Sequence, residues 1–136
     1  MRIRCMWMLF VLCLCTEFGC EPINSRVAGR LDRTRPSVIT ATGFGNSPRS
    51  SARSIELSHS EARKFAEHLA SSPSIGGLSG GWMSGYAIRF NVVGGETIEV
   101  HMDSKLRLWN SGTSDGDRQV PAALGELVRQ VFAAER

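Results

Sequence analysis

The sequence predicts an α+β fold: a small antiparallel sheet in the order β-α-β-β-β-α, with two amphipathic helices on one face. Three observations predict it. A capping-box serine, Ser58, opens a run with apolar residues at helical spacing. Two runs of alternating polarity flank Gly94-Gly95. A second helical stripe closes the chain between Leu124 and Phe132. Side chains alternate with period two on a strand and recur at 3.6 on a helix, so each run presents one apolar face to a shared core.

Ile55-Glu56-Leu57 alternates and reads as a short strand. Ser58 and Glu61 stand three apart, the spacing at which each satisfies the other's backbone donor. Ala62, Phe65, Ala66 and Leu69 then share one helical face, while Glu61, Arg63, Lys64, Glu67 and His68 take the other. Ser71-Ser72-Pro73 ends this helix, because proline restricts the residue before it and cannot continue the ladder. The glycine-rich stretch GGLSGGWMSG, residues 76–85, reads as a loop. Tyr86, Ile88, Phe90 and Val92 alternate with Ala87, Arg89 and Asn91, and Gly94-Gly95 permits a tight hairpin. On the return strand Ile98, Val100 and Met102 alternate with Thr97, Glu99 and His101. Leu106 and Leu108 predict a further strand after a turn at Asp103-Ser104, and the polar residues 110–119 a loop. Pro121 suits a first helical position. Leu124, Leu127, Val128, Val131 and Phe132 form the closing stripe, interrupted by Gly125 at a cost of about 1 kcal/mol against alanine, a glycine expected to serve close packing. Phe65, Leu69, Phe90, Val100, Leu127 and Val131 are the expected core centre.

A chain of 136 residues with 42% hydrophobic and 21% charged residues is ordinary globular material for one domain. Its formal charge of +3 is localised. Residues 21–54 carry Arg26, Arg30, Arg33, Arg35, Arg49 and Arg53 against Glu21 and Asp32, whereas residues 55–136 hold eight basic and ten acidic side chains. The arginines have no aromatic interleaving and no recognition helix, so no nucleic-acid partner is expected. Pro22, Pro36, Pro48 and many Ser and Thr predict a disordered tether over residues 20–54. A single β-like run, SVITAT at 37–42, stands inside it. The tether's arginines are read as solvated, the alternative being contact with anionic lipid headgroups. The domain, residues 55–136, is expected to fold alone, with nothing upstream adding to its stability.

The N-terminus reads as an address. Arg2 and Arg4 precede MWMLFVLCLC, residues 6–15, an apolar run too short to span a bilayer and of signal h-region length. Residues 1–19 are therefore expected to be a signal peptide. Phe18-Gly19-Cys20 resembles the end of a bacterial lipobox: Gly19 is the small residue before the acylated cysteine, while Glu17 stands where that motif usually has an aliphatic residue. The resemblance implies that Cys20 becomes the lipidated first residue of an exported, membrane-anchored envelope protein; soluble export after cleavage and an uncleaved anchor are the alternatives. Cys5, Cys13, Cys15 and Cys20 are the full complement of cysteines, so the domain has no disulfide, zinc cluster or thiol nucleophile of its own.

Glu99, His101 and Asp103 fall at i, i+2 and i+4 on one strand, which puts all three on one sheet face. Two carboxylates and an imidazole there suit a metal ion or acid–base work, or simply make the face polar. His59 and His68 lie on the first helix without converging, and read as surface histidines. The glycine loop lacks the Lys-Ser/Thr and the following helix of a phosphate cradle, and reads as a flexible connection, the functional alternative being a loop that presents Trp82 and Met83 to a partner. Asp115-Gly116-Asp117 lacks the remaining ligands of a calcium loop and reads as a turn. No serine stands in a Gly-x-Ser-x-Gly elbow, and no cofactor motif appears. Ser60-Glu61-Ala62, with the strand ending Val100-His101-Met102-Asp103, resembles the small exported inhibitor-like domains of the PepSY kind, which pair a capped helix with a curled antiparallel sheet. That resemblance spans about half the domain, and no activity is carried over from it. The expected function is a non-enzymatic, membrane-tethered module that binds an envelope protein or small ligand. The alternatives are a metal-binding or hydrolytic protein using Glu99, His101 and Asp103, and a purely structural envelope component.

Overall fold

The computed structural model of the chain describes residues 27–42, 53–75, 81–111 and 116–134. Among these residues lie β1 (Ser37–Ala41), β2 (Arg53–Leu57), α1 (His59–Ala70), β3 (Ser84–Asn91), β4 (Thr97–Asp103), β5 (Leu108–Asn110), β6 (Arg118–Gln119) and α2 (Ala122–Ala133). The strands form one antiparallel sheet in the order β2-β1-β3-β4-β5-β6. The fold is thus α+β as expected, with two more strands than the sequence predicts. Residues 1–19 and Cys20 lie outside the described residues. Among those described, no helix is long and apolar enough to cross a membrane.

The expected tether over residues 20–54 is corrected wherever the structure describes it. β1 lies between β2 and β3 and pairs with both, Ile39 standing opposite Ile55 on one side and Ile88 on the other. Ile39 and Val27 are fully buried, and Leu31 nearly so, in the same core as both helices. Averaged over the whole of residues 20–54, the Pro, Ser and Arg content hides a five-residue alternating strand. Such a strand draws its hydrogen bonds from partners remote in sequence, so local composition does not report it. The expectation that residues 55–136 stand alone falls with the tether.

The helices form where the side-chain chemistry places them. Ser58 Oγ accepts from Glu61 N at 3.2 Å and Glu61 Oε2 accepts from Ser58 N at 2.9 Å, closing the capping box of α1. Ala62, Phe65, Ala66 and Leu69 all bury against the sheet. Pro121 is the N-cap of α2, one position earlier than expected. The carbonyls at the end of α2 accept from Arg53, at 2.8 Å to Phe132 O and 3.3 Å to Ala134 O, so a cation from β2 meets the negative end of the helix. Of the expected core, Phe65, Leu69, Phe90, Val100 and Val131 are buried and Leu127 is partly so.

Three local expectations are corrected. Leu108 opens β5 but is only half-buried; the inward residue is Trp109, opposite Met102. Leu106 is buried in the preceding turn with φ +55°. The expected loop over residues 110–119 contains β6, whose two residues pair with Leu108 and Trp109. Gly125 does not mark a close approach: a β-carbon there would meet Leu106 Cβ at 3.7 Å, an ordinary contact.

Candidate functional site

The outward face of the sheet carries two cross-strand rows. One runs Glu56, Val38, Arg89, Glu99; the other runs Ser54, Thr40, Ala87, His101, Asn110. Glu99 and His101 do share this face, with His101 Nε2 3.0 Å from Glu99 Oε1. Arg89 Nη2 meets the other Glu99 oxygen at 3.3 Å. His101 Nδ1 lies 3.3 Å from Ser84 Oγ, a residue the sequence reading passed over.

Ser84 reaches His101 because β3 begins irregularly. The register shifts between Ser84 and Tyr86, and Gly85 is buried at the shift. A β-carbon on Gly85 would lie 2.4 Å from Ser104 Cα, so only glycine fits. A glycine immediately before an alternating run is the sequence signal for such a bulge.

Asp103 does not join the group. The strand ends there, and its buried carboxylate turns into the β4–β5 connection, where Oδ1 accepts from Arg107 N at 2.6 Å and Leu108 N at 2.8 Å. Alternation put Asp103 on the outward face, but the turn's unpaired amides claimed it. Among the described residues no group of three His, Cys, Asp or Glu side chains is placed to hold a metal ion. What remains is a carboxylate–imidazole–hydroxyl chain on a half-exposed surface. Ser84 Oγ lies 3.0 Å from Tyr86 O as well, so its single proton has two acceptors to choose between.

A second cluster sits at the end of the sheet where β3 begins. Trp82 Nε1 donates to Asp117 Oδ2 at 2.9 Å and Asn110 Nδ2 to Asp117 Oδ1 at 3.2 Å. Ile75 N donates to the Asp117 carbonyl at 3.2 Å. Asp117, expected in a simple turn, is therefore a buried hub that gathers three segments; Asp115 lies outside the described residues. The hub holds the half-buried Trp82 indole, while Met83, next in sequence, and Ile75, bonded through its amide to the Asp117 carbonyl, remain 63% and 53% exposed. Residues 76–80 of the glycine loop lie outside the described residues. His59 and His68 are half-buried on α1.

Trp109, on the inward face of β5, is buried with its indole N–H unpaired among the described residues, and the Arg118 guanidinium stands 5.8 Å from its ring centre. Comparison with protein-family models, with curated proteins and with solved structures finds no match to this chain.

Proposed function

We propose that the chain is an exported, lipid-tethered and non-catalytic module that binds another envelope protein through the corner formed by Ile75, Trp82 and Met83. The observation that carries this reading is the Asp117 hub. A single exposed apolar side chain needs no explanation. Here two large ones, Met83 next in sequence and Ile75 bonded through its amide to the Asp117 carbonyl, accompany an indole whose N–H is held by the buried Asp117 carboxylate. A rigid aromatic anchor with flexible apolar neighbours loses little conformational entropy on docking, and such anchors carry most of the energy of protein interfaces. Export and lipidation rest on the h-region and on Gly19-Cys20.

Crosslinking in the intact envelope, followed by capture, tests the corner. Met83→Asp and Ile75→Asp should each abolish the crosslinked species while leaving expression unchanged. Crosslinks that survive both substitutions remove the corner from the interface. Intact-mass analysis of the purified protein tests lipid at Cys20 separately.

A second reading, a small hydrolytic centre, is favoured by the chain from Glu99 through His101 to Ser84. In it Ser84 is the nucleophile, His101 the base and Glu99 the group that orients the ring. Labelling of Ser84 by a fluorophosphonate, lost in His101→Ala, would establish it; unlabelled Ser84 would leave the binding module.

A further inference from the structure

The eight residues of β3 separate two unlike ends of the sheet by about 25 Å. The Ile75, Trp82 and Met83 corner lies at one end. At the other, residues 27–36 wrap the β3–β4 turn. Val93 N donates to Arg30 O at 2.7 Å, Arg30 Nη2 meets Glu96 Oε2 at 3.3 Å, and Arg35 Nη1 reaches Gly95 O at 3.5 Å. Val93 stands 61% exposed at the tip. Arg33 is exposed with no hydrogen-bond or ion-pair partner among the described residues.

We infer that this basic end rests on an anionic phospholipid surface, an inference that rests on the proposed lipid at Cys20. Chain length is the first argument. Because Val27 is already in the core, six residues separate it from Cys20, and they reach at most about 25 Å even when fully extended. That is shorter than the roughly 30 Å width of a small domain. The 34-residue tether expected from composition would have let any face approach the bilayer. A six-residue one does not. Arg30 N donates to Val27 O at 3.0 Å, so the chain enters the fold within one turn of the basic end, and that end is held nearest the membrane.

Charge complementarity is the second argument. Arg30, Arg33 and Arg35 stand against Asp32 and Glu96, leaving one net positive charge, while in the intervening chain Glu21 cancels Arg26. Thr34 donates to Asp32 through its hydroxyl at 2.7 Å and its amide at 2.8 Å, so Asp32 stays ionised and part of the arginine charge is offset. The surface is accordingly too weakly basic to recruit the domain from solution, and suited to orienting one already anchored. Val93 adds an apolar tip of the kind that enters the headgroup layer. In this orientation the Trp82 and Met83 corner points away from the bilayer, toward a partner.

The test uses residues 20–136, which retain every described residue and have Cys20 as their single thiol. Cys20 is coupled to maleimide-bearing lipid in vesicles of phosphatidylcholine, with or without phosphatidylglycerol. The rate of phenylglyoxal modification at Arg33 is followed by peptide mass spectrometry, with exposed Arg129 of α2 as the internal standard. On phosphatidylglycerol vesicles Arg33 should slow by about fivefold relative to Arg129, the change expected from one arginine's attraction to an anionic surface, and recover at high salt. Equal rates at Arg33 on both vesicle types, or slowing at Arg129 instead, would overturn the inference. The anchor here is supplied chemically, so a cellular protein without lipid at Cys20 would end the lipoprotein reading without altering this result.

Discussion

Removal of β1 tests the architecture most directly. A chain beginning at Ile55 loses Val27, Leu31 and Ile39 from the core. At about 1.5–3 kcal/mol for each buried aliphatic side chain, the loss is roughly 5–9 kcal/mol. It also leaves β2 without the strand that pairs it to the sheet, since β2 joins the order through β1, so Ile55 and Leu57 lose their framework. The sum is comparable with the whole stability of a typical domain, about 5–15 kcal/mol. Residues 55–136 should therefore show no cooperative urea transition by circular dichroism, whereas residues 21–136 should. Ile39→Ala in the longer chain provides the graded version, with an expected loss of about 2–5 kcal/mol. A cooperative melt of residues 55–136 with the midpoint of the longer chain would refute the central placement of β1.

Phe90→Ala, at a fully buried site on β3, should cost about 3–5 kcal/mol, and His101→Ala on the opposite face within about 1 kcal/mol, both read from urea midpoints. Gly125→Ala should stabilise by up to about 1 kcal/mol, because the helix gains propensity and the new methyl meets ordinary contacts; a lower midpoint would show that α2 packs more tightly on Leu106. Asp32 should titrate below its ordinary value of 3.8, because the Thr34 hydroxyl and amide both donate to its carboxylate. With the folded-state value lowered, any stabilising contribution is present above pH 3.8 and lost as pH falls through the folded-state value. Thr34→Ala should bring the NMR midpoint of Asp32 back toward 3.8.

Local chemistry was readable wherever neighbours in sequence are also neighbours in space. Ser58 and Glu61 cap α1 from three residues apart, Gly94-Gly95 makes its hairpin with φ of +98° and +82°, and the apolar stripes of both helices bury as their periodicity predicts. The pairing of Glu99 with His101 was legible for the same reason, since alternate residues on a strand share a face. Tertiary structure decided the rest. β1 is assigned by partners 12 or more residues away, so a polar, proline-bearing context concealed a central strand. Ser84 meets His101 across 17 positions through a bulge that depends on Ser104 crowding Gly85. Asp103 left its expected face because two unpaired turn amides offered its carboxylate more than solvent did, and Asp117 became a hub because Trp82 and Asn110 arrive from other segments. Hydrogen bonds and close packing between remote segments have no local signature, which is why the helices and the hairpin could be read from the chain and the surfaces at the two ends of the sheet could not.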